Sequence, residues 1–219
     1  MLKWWTAVPL FLILSAIGLV GTGTFFGIEA GAQVDTSPAV QEQAALKIEQ
    51  DLAPLLSLPG TATATVTLQD CTLEITQNYD RQCTIPFDVD TTLGKILSLD
   101  LREVQPEIKW RDFTQDPNIS VLTLDLKRDV VSRLRPLEAD INALVSTGHP
   151  RDLAARLDQI TQMTENSLPE LGINSRQVYR TCGADSSVPP SSYAMILLKR
   201  GDYEALTSSI ESYIARYCT

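Results

Sequence analysis

The pattern of apolar and polar residues divides the chain into segments with different periods. From Trp4 to Ile28 no residue is charged, and at about 1.5 Å per residue such a helix would cross a hydrocarbon core of about 30 Å. Further along, apolar residues recur every three or four positions, then alternate from Thr61, and return to helical spacing after Lys127. The pattern therefore predicts an α+β domain behind an N-terminal hydrophobic segment.

The N-terminal segment, residues 1–32, has two interpretations. As a retained single-pass anchor it carries aromatic pairs at both edges, where they suit the membrane interface. As a signal peptide it offers the small residues Ala30-Gly31-Ala32, with cleavage after Ala32. Lys3 stays cytoplasmic in both cases, so we expect residues 33–219 to be extracytoplasmic: periplasmic on a cell-membrane anchor, which we favour, or periplasmic or secreted after cleavage.

A retained helix would also carry a packing surface. Gly23 and Gly27 are four residues apart, a spacing of small residues that lets two membrane helices approach closely. These glycines are therefore candidates for contact with a membrane protein partner, although small residues are equally what a signal peptidase site requires.

Residues 33–135 predict a helix followed by a sheet. Ser37-Pro38 is a helix start, and Pro59-Gly60 ends the helical pattern. Alternation then predicts strands; around Gln69-Asp70 it predicts either a tight hairpin that pairs Val66 with Leu73 or one bulged strand. The further strands are expected at residues 84–89, 96–104, 107–113 and 119–127. Because the connections are short, we expect an antiparallel meander of five or six strands with one buried face.

Residues 136–219 predict a helical region that packs on this sheet. Pro136 and Pro150 each mark a helix start, and residues 202–217 carry one apolar face. Tyr193 to Arg200 is ambiguous. Trp110 is expected in the core or at the rim of a pocket.

The four cysteines, Cys71, Cys83, Cys182 and Cys218, predict disulfides, because their number is even and the compartment is oxidising. Pairing within each local region favours Cys71 with Cys83 and Cys182 with Cys218. The alternative is a bridge that ties the two halves of the chain together.

The net charge of −9 argues against nucleic-acid binding. The densest basic cluster comprises Lys127, Arg128, Arg133 and Arg135, and it is a candidate contact patch for an acidic partner, a lipid phosphate or an anionic ligand. Its alternative interpretation is a solvated connection neutralised by nearby acids.

The sequence contains little candidate chemistry. The single histidine, His149, lies in a predicted turn between helices, and no G-x-S-x-G motif supplies a nucleophile. Asp88 and Asp90 could bind a cation, but the residues after them do not follow the spacing of a calcium loop. We expect neither a cofactor nor a bound metal.

The leading functional hypothesis is a non-enzymatic extracytoplasmic accessory subunit or binding protein of a membrane assembly. One alternative is a secreted or periplasmic module that binds a small amphiphile between the sheet and its helices. Another is a hydrolase whose active site is assembled from residues far apart in sequence.

Overall fold

The computed structural model describes residues 37–84, 91–147 and 153–219. These residues belong to one compact unit, Asp35–Thr219, with an α+β fold. Its strands are β1 (Thr61–Gln69), β2 (Thr72–Tyr79), β3 (Thr92–Asp100), β4 (Val104–Asp112), β5 (Ile119–Leu126), β6 (Arg176–Thr181), β7 (Asp185–Val188) and β8 (Tyr193–Lys199). Its helices are α1 (Pro38–Leu52), α2 (Arg128–Thr147), α3 (Leu153–Glu170) and α4 (Glu204–Tyr217).

The strands form two antiparallel sheets in place of the single meander that the sequence predicts. One sheet has five strands in the order β1-β2-β3-β6-β7, and the other has three in the order β4-β5-β8. The chain changes sheets in a short 3-10 turn, Leu101–Glu103, between β3 and β4. Asp100 starts this turn, because its carboxylate accepts the backbone N–H of Arg102 at 3.0 Å and so ends the strand.

The predicted hairpin forms at the β1–β2 connection. Asp70 and Cys71 form the two-residue loop, and Asp70 has a φ of 52°, in the left-handed region that Asp tolerates better than most residues. The register places Leu68 opposite Leu73, so Val66 lies opposite Ile75 and not Leu73 as expected. Both pairs lie on the buried face.

The helices mostly follow the predicted periodicity. In α1 the buried residues Ala45, Ile48 and Leu52 are three or four positions apart, and the helix continues into a 3-10 turn, Ala53–Leu56. Helix α2 starts at Arg128 and not at Pro136, which lies inside it. The earlier start is explained by Val130 and Leu134, which bury against the core at helical spacing.

The residues expected to be helical or ambiguous after α3 supply three strands. β6 and β7 complete the five-stranded sheet, and β8 completes the three-stranded sheet. Both sheets contribute to one core, in which Leu99 and Leu122 are fully buried together with Tyr213 of α4. The Tyr213 hydroxyl bonds to Asp70 O and Gln41, which joins α4 to the hairpin loop and to α1.

Two disulfides connect distant parts of the chain, Cys71–Cys218 and Cys83–Cys182, so the favoured local pairing is wrong. Cys71 and Cys83 lie beyond opposite ends of β2, whose eight residues span about 26 Å at a rise of ~3.3 Å each. A disulfide needs Cα atoms within about 7 Å, so these two cysteines cannot meet. The two bridges indicate an oxidising, extracytoplasmic location.

The predicted N-terminal span lies outside the described residues. None of the helices in the described part of the chain combines the length and the hydrophobicity that a membrane crossing requires.

Candidate functional site

The three-stranded sheet has a buried face and an uncovered face. On β8 the residues Ala194, Ile196 and Leu198 point into the core. The residues between them, Tyr193, Met195 and Leu197, point the other way and are 41%, 43% and 37% exposed. Large apolar side chains at three alternate positions of one strand form a contiguous exposed apolar surface, which is a common property of protein contact sites.

The neighbouring strand β5 extends this surface. The register places Val121 opposite Leu197 and Thr123 opposite Met195, so their side chains share the uncovered face. Val121 is buried, although it lies on this face and is not part of the core cluster. We call Val121, Tyr193, Met195 and Leu197 the outer-face patch.

Basic side chains border the outer-face patch. Arg111 of β4 lies beside Val121, and Lys199 follows Leu197 on β8. Neither makes an ion pair with a described residue. Lys109, also on this face, donates to Asp125 at 2.8 Å, and this hydrogen bond raises the pKa of the lysine. The patch therefore presents free positive charge on a chain whose net charge is −9.

A shallow groove of about 370 Å³ crosses one end of this face. Tyr193 and Met195 line this groove, and so does Trp110. The register pairs Trp110 with Leu122 of the core, so the indole lies on the other face of β4. There it is 37% exposed and packs edge-to-face on Tyr203 with ring centroids 5.7 Å apart.

The outer edge of β8 has unused backbone groups. Leu126 N donates to Ser192 O at 3.0 Å and Arg200 N donates to Asn118 O at 2.7 Å. Since alternate residues of an antiparallel strand bond to the same neighbour, the even-numbered residues of β8 face β5. Met195, Leu197 and Lys199 therefore direct their N–H and C=O groups away from β5, and no described residue bonds to those groups. We call these three residues the β8 edge.

Each of the other edge strands has one outward N–H that a helix side chain caps. Glu49 of α1 accepts the N–H of Leu68 in β1 at 2.6 Å, and Glu211 of α4 accepts that of Ile108 in β4 at 2.9 Å. On β7, Ser187 N donates to Thr161 Oγ1 of α3 at 3.0 Å. In each case the cap comes from the helix that packs beside the strand. The 3-10 turn Ala53–Leu56 lies beside β8, but neither gives nor accepts a hydrogen bond at the β8 edge.

A cavity of about 600 Å³ lies between α3 and the five-stranded sheet. At its wall the buried Asp100 carboxylate accepts hydrogen bonds from Arg102 Nε at 2.8 Å and Asn174 Nδ2 at 2.9 Å. Burial raises the pKa of Asp100, but the hydrogen bonds from Arg102 and Asn174 outweigh it and hold the pKa below its usual value.

The second buried acid of this region, Glu103, accepts the N–H groups of Asn174 at 2.7 Å and Ser175 at 3.1 Å. Together with Asp100 it fixes the loop between α3 and β6, which is a structural role. Asp100 and Glu103 thus have protein partners already.

The basic cluster predicted from the sequence has mixed roles. The guanidinium of Arg133 donates to Leu171 O and to Gly172 O, the latter at 3.2 Å, and so caps the end of α3. Lys127 N donates to Glu103 O at the end of β5. Arg128 and Arg135 are exposed and two helical turns apart on α2. The contact role of the four residues stays a prediction.

Other candidates fall outside the described residues: Gly23, Gly27, His149, Asp88 and Asp90. Within the described residues, no three His, Cys, Asp or Glu side chains form a group that could hold a metal ion.

The sequence analysis missed the outer-face patch and the β8 edge. The available signal was the run from Tyr193 to Leu198, in which all six residues are apolar although a strand with one wet face should alternate. Comparison of the chain with protein-family models, with curated proteins and with solved structures finds no match in any of the three.

Proposed function

We propose that the protein is a non-enzymatic extracytoplasmic accessory subunit or binding protein, which contacts a protein partner through the outer-face patch. The observation that carries this proposal is the set of three adjacent side chains, Tyr193, Met195 and Leu197, each more than a third exposed on one strand. Other exposed large apolar residues, Leu46 of α1 and Val145 of α2, lie singly on helices. Scattered residues of that kind need no partner, whereas a contiguous patch indicates one.

The surroundings of the patch define the chemistry of the partner. Arg111 and Lys199 border it without ion pairs to described residues, so a partner surface with carboxylates around an apolar centre would complement it. Apolar contact would supply most of the affinity at the centre, and the charges would set orientation and association rate.

The cellular location supports a role outside the cytoplasm. The two disulfides are consistent with an extracytoplasmic protein. The apolar segment from Trp4 to Ile28 would hold the domain at the membrane if it is retained, so the partner would be a membrane protein or its extracytoplasmic portion. Gly23 and Gly27 would then give a second contact within the membrane.

The test is the size of the native assembly that contains the full-length chain. Membranes of the native host are solubilised in a mild detergent, and the chain is located after native electrophoresis. We expect the wild type to migrate with a mass greater than two copies, and Arg111→Glu and Leu197→Glu to release it. Leu46→Glu is the matched control, because it places the same charge on an exposed leucine away from the outer-face patch.

Two results would contradict the proposal. One is a wild-type chain that never exceeds the mass of two copies. The other is a larger assembly that contains Arg111→Glu and Leu197→Glu as fully as it contains Leu46→Glu.

A further inference from the structure

We propose that β8 pairs with β8 of a second copy of this chain, in antiparallel orientation, to join two three-stranded sheets into one sheet of six strands. This inference goes beyond the proposed function, because it concerns the β8 edge and a like partner, while the function concerns the outer-face patch and an unlike one. Addition of a strand to an open edge is a general mode of protein recognition.

The first argument is that a helix side chain caps one outward N–H of every other edge strand, whereas no described side chain caps the β8 edge. β1, β4 and β7 each have an outward N–H that a helix side chain accepts. Met195, Leu197 and Lys199 have backbone groups of the same orientation, and no described residue bonds to them. An uncapped edge with exposed apolar side chains is the feature that promotes pairing between sheets.

The second argument is that β8 itself lacks the sequence features that protect an edge strand. It contains no proline, its register with β5 is regular over all seven residues, and its one charge, Lys199, is at its end. Natural edge strands avoid pairing through prolines, central charges, bulges or short length, or through a helix or loop that covers them. β8 shows none of the first four, and the 3-10 turn beside it bonds to none of its outward backbone groups.

The third argument is that β8 is complementary to itself. Antiparallel pairing with full overlap is centred on Ile196, since the strand runs from 193 to 199. That register places Met195 opposite Leu197 of the second copy, and Tyr193 opposite Lys199 of the second copy. The first pair is apolar and the second brings a cation to an aromatic ring, so both are favourable cross-strand pairs.

The same register explains why the orientation is antiparallel. The residues whose N–H and C=O groups point outward, Met195 and Leu197 among them, face each other across the two-fold axis and can exchange both hydrogen bonds. The two Lys199 side chains lie at opposite ends of the paired strands. A parallel arrangement would place them side by side and repel. The two outer-face patches become one continuous surface on the six-stranded sheet.

The first experiment measures the mass of the full-length chain in detergent micelles by light scattering over a wide concentration series. We expect a reversible monomer–dimer equilibrium. Met195→Pro removes an outward N–H that β5 does not use, and the two-fold axis removes it twice, so the dissociation constant should rise at least about tenfold. Met195→Glu, which keeps the N–H but places a charge against Leu197 of the second copy, should have an effect in the same direction. Circular dichroism checks that each variant is folded.

Two controls separate the β8 edge from other sources of a dimer. Leu46→Glu changes an exposed apolar residue away from β8 and should leave the dimer intact. Gly23→Leu with Gly27→Leu tests pairing through the N-terminal segment and should leave it intact as well. A wild type that stays monomeric, one that forms larger aggregates, or a dimer that only the glycine changes abolish would each overturn the proposal.

A second experiment tests the register. Chains that carry Met195→Cys are mixed with chains that carry Leu197→Cys, and disulfides between chains are identified by mass. The full-overlap register predicts that the mixed pair crosslinks faster than either variant alone. Equal rates, or faster crosslinking of Met195→Cys with itself, would overturn this register.

The experiments can overturn either proposal without overturning the other. A monomeric chain that still enters the larger assembly through Arg111 would overturn self-pairing and leave the proposed function standing. A dimer that enters no larger assembly would overturn the proposed function and leave self-pairing standing.

Discussion

The strands that end the two sheets differ in how their outward backbone groups are treated. Leu68 in β1, Ile108 in β4 and Ser187 in β7 are all buried, and each donates its N–H to a side chain of a helix. Met195 and Leu197 in β8 are 43% and 37% exposed, and their outward groups bond to no described residue. In each of the first three strands a single Glu or Thr thus caps an outward N–H. β8 differs, because its outward groups are uncapped and its exposed face is apolar.

The largest expected effect comes from removal of the bridge that holds the cap of β4. Cys218 follows α4, the helix that carries Glu211, and its bridge to Cys71 spans 147 residues. We expect Cys71→Ser with Cys218→Ser to lower the free energy of unfolding by about 4 to 5 kcal/mol, because the cross-link restricts the unfolded chain. Denaturant unfolding measures this loss of stability.

Hydrogen exchange shows whether this change also erases the difference between the edges. At concentrations where the wild-type chain is a monomer, the amides of Met195 and Leu197 should exchange fast and that of Ile108 slowly. In the double serine variant the amide of Ile108 should approach the fast rate. The matched control is Cys83→Ser with Cys182→Ser, which removes a bridge of 99 residues without touching α4. Equal protection of Ile108 in both variants would show that the bridge does not maintain the cap.

The next largest effect on stability distinguishes the buried face of β8 from its exposed face. Leu198 is fully buried and Leu197 is 37% exposed on adjacent positions of one strand. Leu198→Ala should lower the free energy of unfolding by about 3 kcal/mol, since it leaves a cavity in the core, whereas Leu197→Ala should change it by less than about 0.5 kcal/mol. Similar losses for both variants would mean that the outer face is covered in solution.

The sequence predicts the parts of the fold whose alternation is clear. In β1 and β2 the apolar residues Val66, Leu68, Leu73 and Ile75 alternate with threonines and other polar residues, so the strands and the hairpin are predicted with a register error of two residues. Helix α1 is found in the same way from Ile48, Leu52 and their neighbours. These elements are specified locally, because each has one solvent-exposed side and one buried side.

β8 could not be predicted because its solvent-exposed face is apolar, like its buried face. Tyr193, Met195 and Leu197 remove the contrast with Ala194, Ile196 and Leu198 that would reveal a strand. The residues that make the candidate site are therefore the ones that hide its secondary structure. Disulfides were predicted from the even number of cysteines, but the choice between local pairing and a bridge between the two halves could not be made from the sequence. That pairing and the change of sheets at Asp100 depend on residues more than 70 positions apart in the chain, such as Asp100 and Asn174.

A smaller effect concerns the loop that follows α3, the helix that caps β7. The loop after α3 is held by the Asp100 carboxylate, whose pKa lies below its usual value because of its hydrogen bonds to Arg102 and Asn174. A lowered pKa in the folded state means that the stabilisation is complete above the ordinary carboxyl value of about 3.9, and is lost as the pH falls through the lower folded value.

Asp100→Asn should accordingly lower the free energy of unfolding by about 1.5 kcal/mol at neutral pH, the low end for hydrogen bonds to a charged group, because Arg102 is largely solvated. The difference from wild type should shrink as the pH falls below about 4. Denaturant unfolding at several pH values checks this, and a difference that is constant with pH would assign the loss to packing and not to charge.

The smallest expected effect comes from opening an edge that the fold has closed. Glu49→Ala removes the acceptor for the N–H of Leu68, at a cost of about 1 kcal/mol, and the amide of Leu68 should then exchange faster. Glu49→Gln keeps an acceptor oxygen and should preserve most of the protection. β1 would then have an unsatisfied outward N–H like β8, but its other face carries Thr65 and Thr67 in place of large apolar side chains. If an open edge were sufficient for self-pairing, Glu49→Ala would associate more strongly than wild type; unchanged association would show that β8 pairs because its edge and its apolar face occur together.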